Sequence, residues 1–234
     1  WDEAKIKDRN LQVLWNIHKF LITFPQDNLI NPLKIDASIQ NNIMDQEEQY
    51  IISKLNTTIQ TVTTLLESYK IDEIIQPLEE LYLELSRTYI QMIRDKSSLG
   101  DEEDKILCVY TIYHVLIEFL KMFQIVAPFI CEAIYLNLES AFNIPQSSIT
   151  HFSWPKPNKT LIKQDLEEYM QSAFNIIQAG LAAREKAKLG LRWPIKELLI
   201  QTKKPEIKNA ATTLQQIIKT QLNTKTITIV EKLP

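Results

Sequence analysis

Glycine is scarce in this chain, and its scarcity excludes several kinds of nucleotide site. Only 3 of the 234 residues are glycine, whereas soluble proteins average about 7%. Neither a G-x-G-x-x-G turn nor a Walker-type loop occurs, so no glycine-rich loop is present that could enclose phosphates. Few glycines, combined with long apolar periodicities, favour helices.

Cysteine, clustered histidine and long apolar runs are also missing. Cys108 and Cys131 are the only cysteines, and each lies in an apolar, helix-patterned segment. They are therefore predicted to be small buried hydrophobes in a reducing, cytoplasmic compartment. The three histidines are scattered and give no metal-ligand spacing, so no metal site is predicted. No uninterrupted run of about 18 apolar residues occurs, and no membrane span is expected.

The chain has no overall positive charge. Its 26 Lys and Arg residues are outnumbered by 29 Asp and Glu residues, which gives a net charge of −3. A polyanion would therefore have to be held by a local patch rather than by a global field. No DNA partner is predicted.

Apolar residues recurring every three or four positions predict a series of helices. The expected ranges are 2–23, ended by Pro25, then 45–69, 72–96, 101–126, 129–138 and 161–189. Asp45, Asp72 and Asp101 are the expected N-caps. Pro77 is expected to kink the third helix or to shift its start. The fourth helix is apolar on nearly every side and is predicted to be central.

After Gly190 the pattern changes. Residues 195–202 and 224–231 have strand character, and residues 204–221 have helical character. This order predicts a small β-α-β unit. The fold class is therefore mainly α, with an antiparallel helix bundle over residues 1–190 and a small α/β subdomain over residues 191–234.

No group of residues indicates catalysis. Lone histidines within helical patterns, such as His18 and His114, are usually structural. Carboxylate pairs such as Glu79 and Glu80 are adjacent in sequence and do not face each other on a helix. No catalytic residue is therefore predicted.

Positive charge and an aromatic residue coincide between Arg184 and Lys196, a stretch with five Lys or Arg and a single acid. Gly190 is expected to end the helix as a left-handed cap, and Pro194 favours an extended Trp193. The loop would then present Arg192 and Trp193 to a phosphate backbone and a stacked base. The alternative is a solvated helix end with Trp193 closing the core.

Two further rows of cations are predicted. Arg87 and Arg94 are seven residues apart and would share a helix face that Lys96 extends. Arg184, Lys188 and Arg192, spaced by four, would share another. Trp15, Asn16 and Lys19 would form a polar and aromatic edge on the first helix. The alternative is that Arg87 and Arg94 make surface salt bridges with Glu84 and Asp95, which contribute little.

Six short segments, taken in order, resemble motifs of one known family. They are Leu11–Asn16, Tyr50–Asn56, Leu85–Arg94, Ala127–Tyr135, Trp154-Pro155 and Lys188–Ile200. Together they resemble the anticodon-binding region of class I aminoacyl-tRNA synthetases, in particular the isoleucyl type of archaea and the eukaryotic cytosol. Gln12 replaces the usual Asn, Thr88 replaces an aromatic residue, and Gln91 lacks a positive charge. Valyl and leucyl relatives share some of the signals, but the segments around Arg87 and Arg192 favour the isoleucyl type.

The resemblance implies a module that holds the anticodon stem-loop of tRNA(Ile). The residues implied are Gln12, Trp15, Asn16, Arg87, Arg94, Arg184, Lys188, Arg192 and Trp193. The nucleotide-binding motifs of such enzymes are absent here, so this segment is expected to bind no cofactor itself. ATP and Mg²⁺ would belong to a catalytic domain elsewhere in the polypeptide. The first residue is Trp1 rather than Met, which suggests a piece of a longer protein.

Two other functional classes stay open. The negative net charge and the acidic helix faces also suit a helical protein-interaction module. An independent enzyme would need a cleft with a histidine or carboxylate of perturbed pKa.

Overall fold

The computed structural model describes residues 1–27, 30–35 and 44–230. Its contacts divide the chain into two units, Trp1–Ile162 and Lys163–Pro234. The second unit begins before residue 190 because the long helix preceding that residue packs on the C-terminal helices. The assignment of 1–190 and 191–234 to separate domains stays a prediction. Of the expected connector at 26–42, residues 28–29 and 36–42 lie outside the described residues, and residues 26–27 belong to the first helix instead.

The first unit is helical. Its helices are α1 (Asp2–Asp27), α2 (Gln46–Glu67), α3 (Ile75–Glu84), α4 (Ile90–Met92), α5 (Arg94–Leu99), α6 (Glu102–Phe123) and α7 (Pro128–Phe142). A π-helical turn, Leu85–Tyr89, joins α3 to α4, and single 3₁₀ turns occur at Pro32–Lys34, Ile149–His151 and Lys159–Leu161. The mainly α prediction is thus confirmed.

Helix α6 is the central element of this unit, as its pattern predicted. It contacts α1, α2, α3, α5 and α7, and most of its apolar residues are buried. The carboxylate of Asp101 accepts a hydrogen bond from the Asp104 nitrogen at 2.9 Å and so caps its first turn. Among the described residues, α6 alone is long and apolar enough to cross a bilayer. Because 72% of its most apolar segment is buried within the molecule, α6 is explained as a core helix.

Prolines shift two helix boundaries from those predicted. Pro25 lies inside α1, which continues to Asp27. So close to the helix end, its missing N–H removes a hydrogen bond only from the last turn. The third helix begins at Ile75 rather than at Asp72. Pro77 is therefore in the first turn, where N–H groups have no partner within the helix.

A buried ion pair connects α2 to α5. Glu48 has no exposed surface, and one of its oxygens lies 3.1 Å from the Lys96 nitrogen. The Lys96 Nζ also lies 2.8 Å from an Asp45 carboxylate oxygen. The Tyr89 hydroxyl donates to the Glu48 carboxylate at 3.2 Å. Burial opposes ionisation of Lys96, but the Glu48 and Asp45 carboxylates outweigh it and raise the lysine pKa. The acidic cluster of Asp45, Glu47 and Glu48 thus has an ammonium within contact distance.

Lys96→Met should destabilise the protein by about 3–5 kcal/mol, because Glu48 would stay buried without its cation. The control is Lys70→Met, which breaks an exposed pair with Glu73 at 3.0 Å and should cost less than about 1 kcal/mol. Urea unfolding measures both. Equal losses would contradict a stabilising role for the buried pair.

His18 on α1 is a buried, neutral core histidine. It is 2% exposed, and its Nε2 lies 3.2 Å from the Asn137 amide nitrogen on α7. Burial lowers its pKa to about 4, although a backbone hydrogen bond with Trp15 opposes the change. The ring therefore stays uncharged near neutral pH.

This histidine should make stability depend on pH. In the unfolded chain a histidine titrates near 6.5, so the unfolded state binds a proton between pH 6.5 and 4 while folded His18 does not. The contribution of His18 to the free energy of unfolding is complete above pH 6.5. It falls by on the order of 3 kcal/mol as the pH decreases towards 4. His18→Gln should flatten that part of the curve of unfolding free energy against pH. An unchanged slope would show that His18 already takes up a proton in the folded state.

The second unit is an α/β arrangement. It contains α8 (Gln164–Lys186), β1 (Ile195–Gln201), α9 (Pro205–Thr213), α10 (Gln215–Leu222) and β2 (Thr224–Val230). The strands are parallel, in register from Ile195↔Thr224 to Gln201↔Val230. A parallel pair requires a crossover, and the single predicted crossover helix is interrupted at Leu214. The predicted β-α-β order is confirmed.

A glycine on α8 allows a close approach of α10. A Cβ added to Gly180 would lie 2.5 Å from a methyl group of Leu222, and Leu222 is fully buried. Any side chain at this position would force the Leu222 side chain to shift. Gly180 therefore brings α8 and α10 into direct contact.

Candidate functional site

Arg184 is a buried arginine that is bonded to backbone carbonyls. It is 6% exposed and donates to Leu222 at 3.2 Å, to Gly190 at 2.6 Å and to Trp193. Sequence reasoning placed its charge on an RNA-facing surface. The structure instead shows it joining the last turns of α8 and α10 to the loop before β1. It therefore holds that loop in place.

Helix α8 ends through a Schellman motif rather than at Gly190. The left-handed residue is Lys188, with a φ of 56°, and no glycine has a positive φ. The Leu189 nitrogen bonds to the Arg184 carbonyl and the Lys188 nitrogen to the Glu185 carbonyl, each at 2.9 Å. This pair of bonds satisfies the last carbonyls of a helix. The prediction of a Gly190 cap was wrong because local backbone bonding overrode the glycine preference.

Beyond α8, the loop exposes the predicted cation and indole. Lys188 and Arg192 are both exposed, and Trp193 is 69% exposed, so this side chain does not close the core. The Trp193 nitrogen donates to the Gly190 carbonyl at 3.1 Å. Because the helix stops at Lys186, Arg184, Lys188 and Arg192 do not form one helix face. The loop presents the two exposed cations.

Arg87 and Arg94 are exposed but are not on one regular helix face. Arg87 lies in the π-helical turn, where the Ile90 nitrogen bonds to the Leu85 carbonyl, and Ile93 breaks the helix before Arg94. Each irregularity changes the rotation per residue on which the spacing argument relied. Lys96 does not extend the row, since it points to Glu48.

The salt bridges that the alternative interpretation gave to these arginines do not form. Within the described ranges, neither Arg87 nor Arg94 pairs with a carboxylate. Arg87 instead donates to the Asn10 side chain at 3.2 Å, and Asn10 donates to Glu79 at 2.7 Å. Glu84 accepts a hydrogen bond from Tyr50. The charges of both arginines thus stay available to an outside anion.

Residues on α1 form an edge that is partly polar and partly aromatic. Gln12 and Asn16 are exposed, and Gln12 bonds to Asp8 on the same helix at 2.8 Å. Trp15 is half-buried, with the Lys19 ammonium 6.0 Å from its ring centre. Sequence reasoning missed Asn10, which connects α1 to Arg87. The position of this polar residue, one turn before Leu14 on the apolar face of α1, could have indicated a buried polar contact.

Several motif residues have structural partners. Asn56 accepts from the Asn158 nitrogen at 2.7 Å, and the Trp154 indole donates to Thr63 at 2.9 Å. Glu132 accepts from the Ser148 hydroxyl at 3.0 Å. These bonds fix the loops of the first unit, whereas Arg94, Arg192 and Trp193 are exposed. The exposed members of the motifs are therefore the binding candidates.

The two cysteines are buried, and His114 is partly buried. Cys108 and Cys131 are free, and burial raises the pKa of each thiol to about 12. Burial also lowers the pKa of His114. These groups are uncharged at neutral pH.

Comparison with known proteins agrees with this arrangement. The family model for the anticodon-binding domain of tRNA ligase matches residues 48–201. That match covers most of the chain and includes the π-helical turn and the exposed loop. The chain belongs to this family.

Its relatives include archaeal isoleucine–tRNA ligases. It is 30% identical over 231 residues to those of Thermococcus kodakarensis and Pyrococcus horikoshii, which covers 98% of this chain and 21% of each relative. The enzyme of Methanosarcina barkeri is 26% identical over 239 residues, with 23% of its length covered. The chain thus spans about a fifth of the length of these relatives and is homologous to their anticodon-binding region.

Arg184→Ala should destabilise the second unit by about 3 kcal/mol, because it removes three charged hydrogen bonds and takes this donor from the Leu222 and Trp193 carbonyls. Arg192→Ala, which removes an exposed arginine from the same loop, should change stability by less than about 0.5 kcal/mol. Urea unfolding separates the two roles. Similar, small changes for both variants would mean that Arg184 does not hold the loop.

Proposed function

We propose that this chain is the module of an isoleucine–tRNA ligase that recognises the anticodon stem-loop of tRNA(Ile). The observation that carries the proposal is an exposed Arg192 and Trp193 on a loop held by buried Arg184, within a chain similar to isoleucine–tRNA ligases over 98% of its length. ATP-dependent charging of tRNA would be carried out by a catalytic domain elsewhere in a cytoplasmic polypeptide, where ATP and Mg²⁺ would bind.

The geometry suits an unpaired RNA loop. Bases in such loops are unstacked and can stack on an aromatic ring, while arginine and lysine contact the phosphates. Trp193 offers an accessible ring, and Lys188 and Arg192 offer charge within five residues of it. With a net charge of −3, the chain attracts polyanions only weakly at a distance. Recognition would therefore depend on these local contacts, with Arg87 and Arg94 as further phosphate ligands.

Binding should depend on the anticodon and on salt. The experiment compares tRNA(Ile) with the same tRNA carrying a swapped anticodon, over a range of salt concentrations. The intact anticodon should bind more tightly, and affinity should fall as salt rises. Stronger binding to valine or leucine tRNA would assign the domain to a ligase for that amino acid. Equal, negligible binding to all these tRNAs would contradict the proposal and favour a protein-interaction module.

Two substitutions separate charge from stacking. Arg192→Ala should weaken tRNA binding and reduce the salt slope by about one, because one phosphate contact is lost. Trp193→Ala should cost about 1–3 kcal/mol of binding free energy with the slope unchanged. Lys70→Ala, which removes a lysine already paired with Glu73, is the control and should change neither quantity.

A further inference from the structure

A shallow depression lies beside the end of α8, within the second unit. Its volume is about 340 Å³, and its lining comes from residues 181, 184 and 185 and from the run 188–191. The same Schellman turn and Arg184 bonds that fix the loop fix this lining. The depression is therefore formed before any ligand arrives, which reduces the ordering cost of binding.

The lining combines apolar and charged groups. Leu189 and Leu191 are 46% and 47% exposed, and with Leu181 they supply aliphatic surface. Lys188 supplies a cation, and Glu185 supplies a carboxylate that can accept a hydrogen bond. A flat, mostly apolar ligand with amino groups and an attached anion would complement this set.

We propose that this depression binds one unstacked nucleobase of the anticodon loop, with its backbone phosphate near Lys188. The inference rests on the proposed function and adds a site to it. A phosphate alone fits less well, because Glu185 repels it and Arg184 donates to carbonyls. The base ring would cover the two exposed leucines and remove their apolar surface from water.

Gly190 allows this depression to be blocked without strain. It lies in the lining, its φ is not positive, and a Cβ added there would meet no atom within 4 Å. Gly190→Leu should therefore fold normally, and we expect its larger side chain to reduce the space that this lining encloses. Gly190→Ala adds one methyl group and leaves most of the space open. Ala182→Leu is a matched control, since Ala182 is exposed on α8 and lies outside the lining.

The test measures binding of the tRNA(Ile) anticodon stem-loop to the chain and to these variants. Gly190→Leu should weaken binding at least tenfold, with unchanged urea unfolding and an unchanged salt slope. Gly190→Ala and Ala182→Leu should stay within about twofold of the original affinity. Stem-loops that each lack one base should also be compared. At one position, removing the base should weaken binding to the original chain but not to Gly190→Leu.

The outcomes distinguish this site from the proposed function. If the original chain binds the stem-loop and Gly190→Leu binds equally well, the depression does not hold a base, although the module still recognises RNA. The depression is likewise ruled out as a base site if no missing base weakens binding to the original chain more than binding to Gly190→Leu. If the original chain fails to bind any stem-loop, the proposed function is wrong and this site is wrong with it.

Discussion

A buried guanidinium bonded to carbonyls rather than to a carboxylate determines how the C-terminal unit is arranged. Removing arginine from water is costly unless its donors are satisfied. Arg184 directs its NH₂ groups to carbonyls of Gly190, Trp193 and Leu222, and its buried Nε has no partner among the described residues. Leu222 ends α10, so the positive charge also lies where that helix dipole is negative. One side chain thereby connects the ends of two helices to a loop.

That connection explains how a chain with net negative charge can present a local cationic surface. The arginine that holds the loop is buried, and the groups offered to solvent are Lys188, Arg192 and Trp193. In the first unit, Lys96 is likewise committed to Glu48, whereas Arg87 and Arg94 are without a carboxylate partner among the described residues. Buried cations thus stabilise the fold and exposed cations are left for a polyanion.

The sequence predicted the helices and strands well but the roles of the lysines and arginines poorly, and the difference has a physical reason. Apolar periodicity located α6 and both strands, because burial of one face dictates the pattern. The role of Arg184 depends on Leu222, 38 residues away, and no local spacing encodes that contact. The π-helical turn before Arg94 and the left-handed Lys188 are outcomes of backbone bonding. Spacing arguments assume a regular helix and could not predict them.

The central claim is that the loop held by Arg184 meets unpaired RNA bases through Trp193. The most direct measurement is Trp193 fluorescence in a chain whose Trp1, Trp15 and Trp154 are replaced by phenylalanine. Adding the anticodon stem-loop should quench this emission, and a fully paired RNA helix of equal charge should not. Emission that stays constant while the stem-loop binds would contradict the claim.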